Sequence, residues 1–352
     1  MDKPIRNIGI IGAGGISEAH LQAAALEPRV RVKAIADLDK KLAQGRGAPY
    51  GVKAFYTDYR DMLADETIDA VILCLPNFLH KEAAFAALDA DKHVLCEKPL
   101  AMNSREAKEM ADKAQRAGRL LMPAQNNRFH GDTLLLKRLV EEGKLGALYH
   151  AKTGWVRRSG IPGWGSWFTS REKAGGGPLI DVGVHMLDLT LWLMGFPRPV
   201  SVFGQTYDRF GPRKKGLSSW GTPNLEGSYD VEDLAVAMIR FENGASLSLD
   251  ASWASHIREE RTFVDLYGED GGASLDFRQH QLVLYHEEAG VPSDSILHPP
   301  KQNERLLLIR NFLDAAEDRS EAVCRPEHGI DVLRVLDAIY ESSRTGSLVT
   351  LN

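Results

Sequence analysis

The stretch NIGIIGAGGISEAHLQAAAL, Asn7 to Leu26, constrains the fold more than any other. A short apolar strand-like run meets glycines and passes into helical periodicity beginning near Gly15. Gly12, Gly14 and Ser17 fall on the three small-residue positions of GxGxxG. The first glycine permits a tight turn, the second lets backbone N–H groups approach a pyrophosphate, and the third position must be small where helix meets strand. Ser17 departs from the usual Gly or Ala, which predicts slightly looser packing with phosphate binding kept. Gly12, Gly14, Gly15 and Ile16 are the resulting phosphate-loop candidates.

A second strand, VRVKAIAD, ends at Asp37, where an acidic residue about twenty positions beyond the glycines bonds the adenosine ribose hydroxyls. A carboxylate there repels a 2′-phosphate, so the expected cofactor is NAD rather than NADP. The alternation continues with AVILCLP (70–76), a helix over 78–90, HVLCEKP (93–99), a helix over 104–117 and RLLMPA (119–124). Continuous apolar strands between amphipathic helices predict a parallel sheet covered on both faces, an α/β Rossmann domain over residues 1–124.

At 352 residues the chain exceeds what one core usually supports, and residues 125–352 read as a second domain. Its strand-like runs are LYHAKTGWV, PVSVFGQTY, LAVAMIRF, ASLSLDASW, RTFVDLYG, ASLDF, QLVLYH and a final SLVTL, with a hairpin signal at Asn243-Gly244. Helices are expected over 132–142, 304–317 and 329–344. The pattern predicts an α+β domain with a largely antiparallel open sheet, whose free face could join subunits into a homo-dimer or homo-tetramer.

A net charge of -5 with no basic block argues against nucleic acid as a partner. The N-terminus lacks a signal-peptide layout, and no run reaches about 18 apolar residues, so no membrane partner and a cytoplasmic location are expected. Cys74, Cys96 and Cys324 suit neither a metal site nor a disulfide framework and read as reduced, buried small residues.

The segment GGGPLIDVGVHMLDL, Gly175 to Leu189, sets an acid and a base in an apolar run. Pro178 suits a first helical turn, and apolar spacing predicts a helix over 178–194. Asp181 and His185, four residues apart, would then share one helical face, with Asp188 as a possible third member. The competing reading is a polar stripe facing water.

CEKP (96–99), NNRF (126–129), LPNFLH (75–80) and GGGPLIDVGVHMLD (175–188) stand in an order and spacing that resemble the Gfo/Idh/MocA family. The resemblance implies NAD(P)-dependent oxidation or reduction of a sugar or cyclitol carbinol in a cleft between domains. Carried onto matching positions, it makes Lys98, Asp181 and His185 the catalytic trio. Pro76, Asn77, His80 and Glu97 would lie near the cofactor, and the Lys98-Pro99 peptide would be cis. His185 would exchange the hydroxyl proton, Asp181 would hold substrate hydroxyls and favour imidazolium, and Lys98 would bond the reacting oxygen.

The run from Trp155 to Gly177 brings Trp155, Arg157, Arg158, Trp164, Trp167 and Phe168 near the catalytic helix in sequence. Trp faces pack on pyranose rings and arginines pair with anions. Trp155, Arg157, Trp164 and Trp167, with Arg128 of the NNRF segment, are therefore the substrate-binding candidates. Aromatics that merely anchor a long loop are the alternative. Two other activities stay open: a glycosidase in which NAD is reduced and regenerated within one turnover, and a non-catalytic nucleotide-binding regulator.

Overall fold

A computed structural model describes residues 6–351, so the leaderless reading of residues 1–5 lies outside the described residues. Two compact units emerge. One runs to Phe129 and adds Asn303–Ile330, and the other comprises His130–Gln302 and the chain from Asp331 onward.

The first unit contains β1 (Asn7–Ile11), α1 (Gly15–Ala25), β2 (Arg31–Ala36), α2 (Lys40–Gly47), β3 (Ala54–Tyr56), α3 (Tyr59–Leu63), β4 (Ala70–Leu73), α4 (His80–Asp89), β5 (His93–Cys96), α5 (Ser104–Ala117) and β6 (Leu121–Pro123). The six strands are parallel in the order β3-β2-β1-β4-β5-β6. That is the doubly wound order, whose direction of winding reverses between β1 and β4. Ligands bind beyond the carboxyl ends of strands at such a reversal, which is where the glycine loop and the Leu75–Asn77 turn begin. The three cysteines are buried free thiols, as expected from their apolar surroundings.

The second unit contains α6 (Gly131–Glu141), β7 (Leu148–Val156), α7 (Arg171–Ala174), α8 (Val184–Leu193) and β8 (Pro199–Tyr207). It continues with β9 (Leu234–Phe241), β10 (Ser246–Ser252), β11 (Arg261–Gly268), β12 (Gly272–Asp276), β13 (Gln281–Glu288) and β14 (Val291–Leu297). After α9 (Glu304–Ala316) and α10 (Pro326–Thr345) comes β15 (Val349–Thr350). Its sheet runs β14-β13-β12-β11-β7-β10-β9-β8-β15. It is mixed: β7 and β10 are parallel partners, and the remaining pairs are antiparallel. Strand β14 has no counterpart among the expected strands, because the polar run over 293–295 breaks the apolar pattern of VPSDSIL and the segment carries a proline, as an edge strand can.

A single division at 124/125 does not describe this organisation. The apolar side of α9, Leu308, Ile309, Phe312 and Leu313, is buried in the core that contains Ile8, Ile10, Leu21 and Ile35. Each such side chain contributes about 2 kcal/mol when buried, which returns α9 to the first unit. Among the described residues no helix is long and apolar enough to cross a membrane.

Candidate functional site

The glycine loop fits a dinucleotide. Gly12 has φ +97°, and a Cβ there would lie 2.2 Å from the Cys74 carbonyl oxygen, so the chain passes β4 too closely for any side chain. Around Gly14 the corresponding space is open. No side chain caps the start of α1, leaving its first N–H groups for an anion. Ser17 is fully buried, and its hydroxyl donates to the Gly14 carbonyl at 2.7 Å, a bond within the turn that Gly or Ala could not make.

Asp37 sits at the end of β2 with Oδ2 accepting the Ala13 N–H at 2.7 Å and Oδ1 accepting the Asp39 N–H at 2.8 Å. Its charge is thus fixed to the glycine loop. At the next strand ends, Pro76 opens a 3-10 turn over Asn77–Leu79, and Asn77 is buried. Lys98 is half-buried and precedes the expected cis peptide to Pro99.

Three first-unit candidates have other work. His80, expected near the cofactor, is fully buried, with Nδ1 2.8 Å from the Pro99 carbonyl and Nε2 2.9 Å from that of Leu75. It braces the two loops. Arg128 was expected to bind substrate; instead it is fully buried, donating to the Val323 carbonyl at 2.7 Å and lying 3.0 Å from His328 Nδ1. Glu97 accepts from Arg305 Nη1 at 2.7 Å and lies 2.8 Å from His20 Nε2, while its second oxygen accepts the Lys98 N–H at 3.1 Å. Burial works to raise its pKa, but Arg305 and His20 hold it well below the ordinary glutamate range. This carboxylate is occupied by the protein.

In the second unit, Gly176 and Gly177 stand where the chain passes close to neighbouring groups. Added Cβ atoms would stand 1.9 Å from the Tyr340 hydroxyl and 2.0 Å from the Glu232 carbonyl oxygen, respectively. Glu232 Oε1 accepts the Gly177 and Leu179 N–H groups at 2.9 and 3.2 Å and the Tyr340 hydroxyl at 3.0 Å. Burial raises the Glu232 pKa against those bonds.

The expected helix begins as a π turn, Leu179–Gly183, and continues as α8. Its range agrees with the expectation, but the π turn interrupts the regular i, i+4 geometry of an α-helix between Asp181 and His185. A water-facing stripe is also ruled out, since His185 and Asp188 are buried and Asp181 is half-buried. Asp181 Oδ2 accepts the Trp253 indole N–H at 2.8 Å. The Trp155 and His185 ring centres are 5.8 Å apart, and the Arg157 guanidinium lies 4.9 Å from the Trp155 ring centre.

Trp164, expected to face substrate, is buried instead. It stacks on Tyr229 and donates its indole N–H to the Gly211 carbonyl at 2.8 Å. It anchors the loop, as the competing reading held. Trp167 is half-buried and stacked on Phe168 at 3.9 Å.

Sequence reasoning missed His20, Arg305, Trp253, Glu232 and Tyr340. Their partners lie far along the chain: 77 residues separate His20 from Glu97 and 72 separate Trp253 from Asp181. One signal was available for His20, which falls on the otherwise small or apolar buried side of α1 with Ser17, Leu21 and Ala24.

The fold and loop define an NAD-binding Rossmann enzyme. Residues 6–125 match the oxidoreductase family model with an NAD-binding Rossmann fold, and residues 133–274 match the GFO/IDH/MocA C-terminal domain. The chain belongs to the Gfo/Idh/MocA oxidoreductase family. It is 33% identical to D-glucoside 3-dehydrogenase of Escherichia coli (strain K12), over 99% of this chain and 98% of that one. Levoglucosan dehydrogenase of Pseudarthrobacter phenanthrenivorans is 31% identical over 78% of this chain and 74% of its own. A solved levoglucosan dehydrogenase complex with NADH and levoglucosan superposes with a TM-score of 0.86 at 26% identity, covering 98% of this chain and 99% of that one.

Proposed function

We propose that the protein is an NAD-dependent dehydrogenase of a glucopyranoside, oxidising the C3 carbinol to the ketone. The observation that carries the reading is the grouping of Trp155 beside His185 in the unit that also holds Asp181. A flat apolar ring next to an imidazole suits a pyranose whose hydroxyl must lose a proton. Full-length similarity to a D-glucoside 3-dehydrogenase supports the choice of sugar and carbon.

Bound NAD supplies the hydride acceptor. Gly12, Gly14, Gly15 and Ile16 would hold its pyrophosphate and Asp37 its adenosine ribose, with Pro76 and Asn77 at the adjoining strand end. His185 accepts the hydroxyl proton at an imidazole nitrogen. Asp181 orients neighbouring hydroxyls and favours the imidazolium that results. Lys98 donates a hydrogen bond to the reacting oxygen as alkoxide character develops. Arg157, against Trp155, and Trp167 complete the substrate-binding set.

The same reading has the enzyme working in the cytoplasm as a homo-oligomer joined through the outer face of its second sheet. There Phe203 and Met238, opposite one another on β8 and β9, are 50% and 45% exposed.

The test is NADH formation at 340 nm with a panel of alkyl glucosides, free glucose, glucose 6-phosphate, cyclitols and nucleotide sugars. The oxidised carbon is located by NMR of the product. Turnover highest on a glucoside with the ketone at C3, and about a thousandfold loss in His185→Ala and Lys98→Ala, supports the proposal. Preference for a cyclitol, or consumption of glycoside with no free NADH, overturns it.

A further inference from the structure

Trp253 is the largest fully buried side chain of the protein, and no step proposed above uses it. It follows directly on β10, and its backbone N–H donates to the Asp233 carbonyl at 3.0 Å. Asp233 in turn accepts the Gly211 N–H at 2.9 Å with its carboxylate. The indole packs among Ile161, Trp164, Val182, Val231 and Ala254, with Tyr229 and Leu217 at the margin. Ring and main chain are therefore held from several sides, which leaves the indole N–H a fixed direction. That direction is toward Asp181 Oδ2, at 2.8 Å.

A buried indole N–H needs an acceptor, and nearly any carbonyl would serve for stability alone. Here the acceptor is instead the half-buried carboxylate one π turn before His185. A charge-assisted bond of this kind is directional and stronger than a neutral one. It restrains the rotamer of Asp181.

We propose that Trp253 is a positioning residue for Asp181, orienting the carboxylate toward substrate hydroxyls and imidazolium at His185. This rests on the reading of Asp181 as part of the working site. It differs from a packing role, because it depends on one N–H group and on the presence of a carboxylate at position 181.

The experiment is a double-mutant cycle on the full chain with the best substrate of the panel. Trp253→Phe retains a buried aromatic ring and removes the donor. The expected result is a fall in kcat of about tenfold with KM for NAD changed less than about twofold, and a further loss below about twofold when Trp253→Phe is added to Asp181→Asn. An equal fall in both backgrounds reveals a packing role and overturns the proposal, as does unchanged kcat in Trp253→Phe. Wild-type turnover in Asp181→Asn alone overturns the underlying reading and this inference with it. Should Trp253→Phe fail to fold, the indole N–H resonances of 15N-Trp-labelled protein give a second measure across the six tryptophans. Asp181→Asn must shift one of them; a spectrum in which none moves overturns the proposal.

Discussion

His20 and Glu97 meet inside the nucleotide-binding unit, with Nε2 2.8 Å from Oε1, and Arg305 reaches the same oxygen at 2.7 Å. The contact joins α1, whose N-terminus forms the phosphate loop, to the peptide of Lys98 and to α9. Since Glu97 is buried, its charge survives only because these partners offset the cost of desolvation.

Removing one partner leaves that charge exposed to the low-dielectric interior, so Arg305→Met should cost about 3 kcal/mol of unfolding free energy. The pH dependence has a definite sign. The Glu97 value in the folded protein is depressed, so its stabilisation is full above the ordinary 4.5 and fades as pH falls below it. Burial likewise lowers His20, partly offset by Glu97, so the unfolded chain takes up this proton first once pH drops below 6.5. Its Nδ1 has no hydrogen-bond partner among the described residues, so protonation there would bury an unsatisfied N–H. Urea midpoints measured from about pH 8 to about pH 4 should therefore fall in wild type. His20→Gln should flatten the segment near 6.5, and Glu97→Gln the segment below 4.5.

The two glycines of the phosphate loop should respond differently to alanine. At Gly12 the new Cβ would stand 2.2 Å from the Cys74 carbonyl oxygen at a φ of +97°, so Gly12→Ala should lose well over about 1 kcal/mol and lower Tm. At Gly14 nothing lies within 4 Å of the added atom. Gly14→Ala should keep Tm and weaken NADH binding by about tenfold, measured by fluorescence titration, because the methyl occupies the path of the pyrophosphate. Unchanged affinity there would place the phosphates elsewhere.

Glu232 offers the opposite titration. Burial raises its pKa, so the folded state retains a proton that the unfolded chain releases, and its contribution is lost as pH rises through the raised value. Glu232→Gln keeps an oxygen for Gly177, Leu179 and Tyr340 while carrying no charge. Relative to wild type it should gain stability as pH climbs above 4.5. Glu232→Ala strands the same donors and should cost about 2 kcal/mol at low pH, as read by denaturant unfolding, and less as pH rises and wild type loses its own contribution.

What could be read from the chain alone follows from the range of the physics. The glycine loop and the strands of the first sheet, other than the three-residue β3, which has no counterpart among the expected strands, rest on local spacing, and the α5 range over 104–117 agrees to the residue. The domain division needed α9 to be matched to a core formed some three hundred residues earlier, which periodicity within α9 cannot show. Arg128 and Trp164 resemble ligand-binding side chains by type. Only their burial, and the Val323 and Gly211 carbonyls that satisfy them, reveals structural roles. The π turn at Asp181 was equally hidden, since the same apolar spacing serves either helix.

Asp37 carries the prediction on cofactor choice. Its Oδ2 is held 2.7 Å from the Ala13 nitrogen, so the carboxylate is fixed beside the glycine loop, where the proposed reading puts the adenosine ribose. At close range such a charge repels a 2′-phosphate by about 1 to 4 kcal/mol. Asp37→Ser removes that repulsion, retains a hydroxyl for the ribose, and weakens the hold on Ala13 at a cost of about 1 kcal/mol in stability. The ratio of Kd values for NADPH and NADH, from parallel fluorescence titrations, should fall about tenfold or more. The change should come from tighter NADPH binding together with weaker NADH binding. An unchanged ratio, with the folded state intact, would mean that the carboxylate serves the glycine loop alone and that another group reads the ribose.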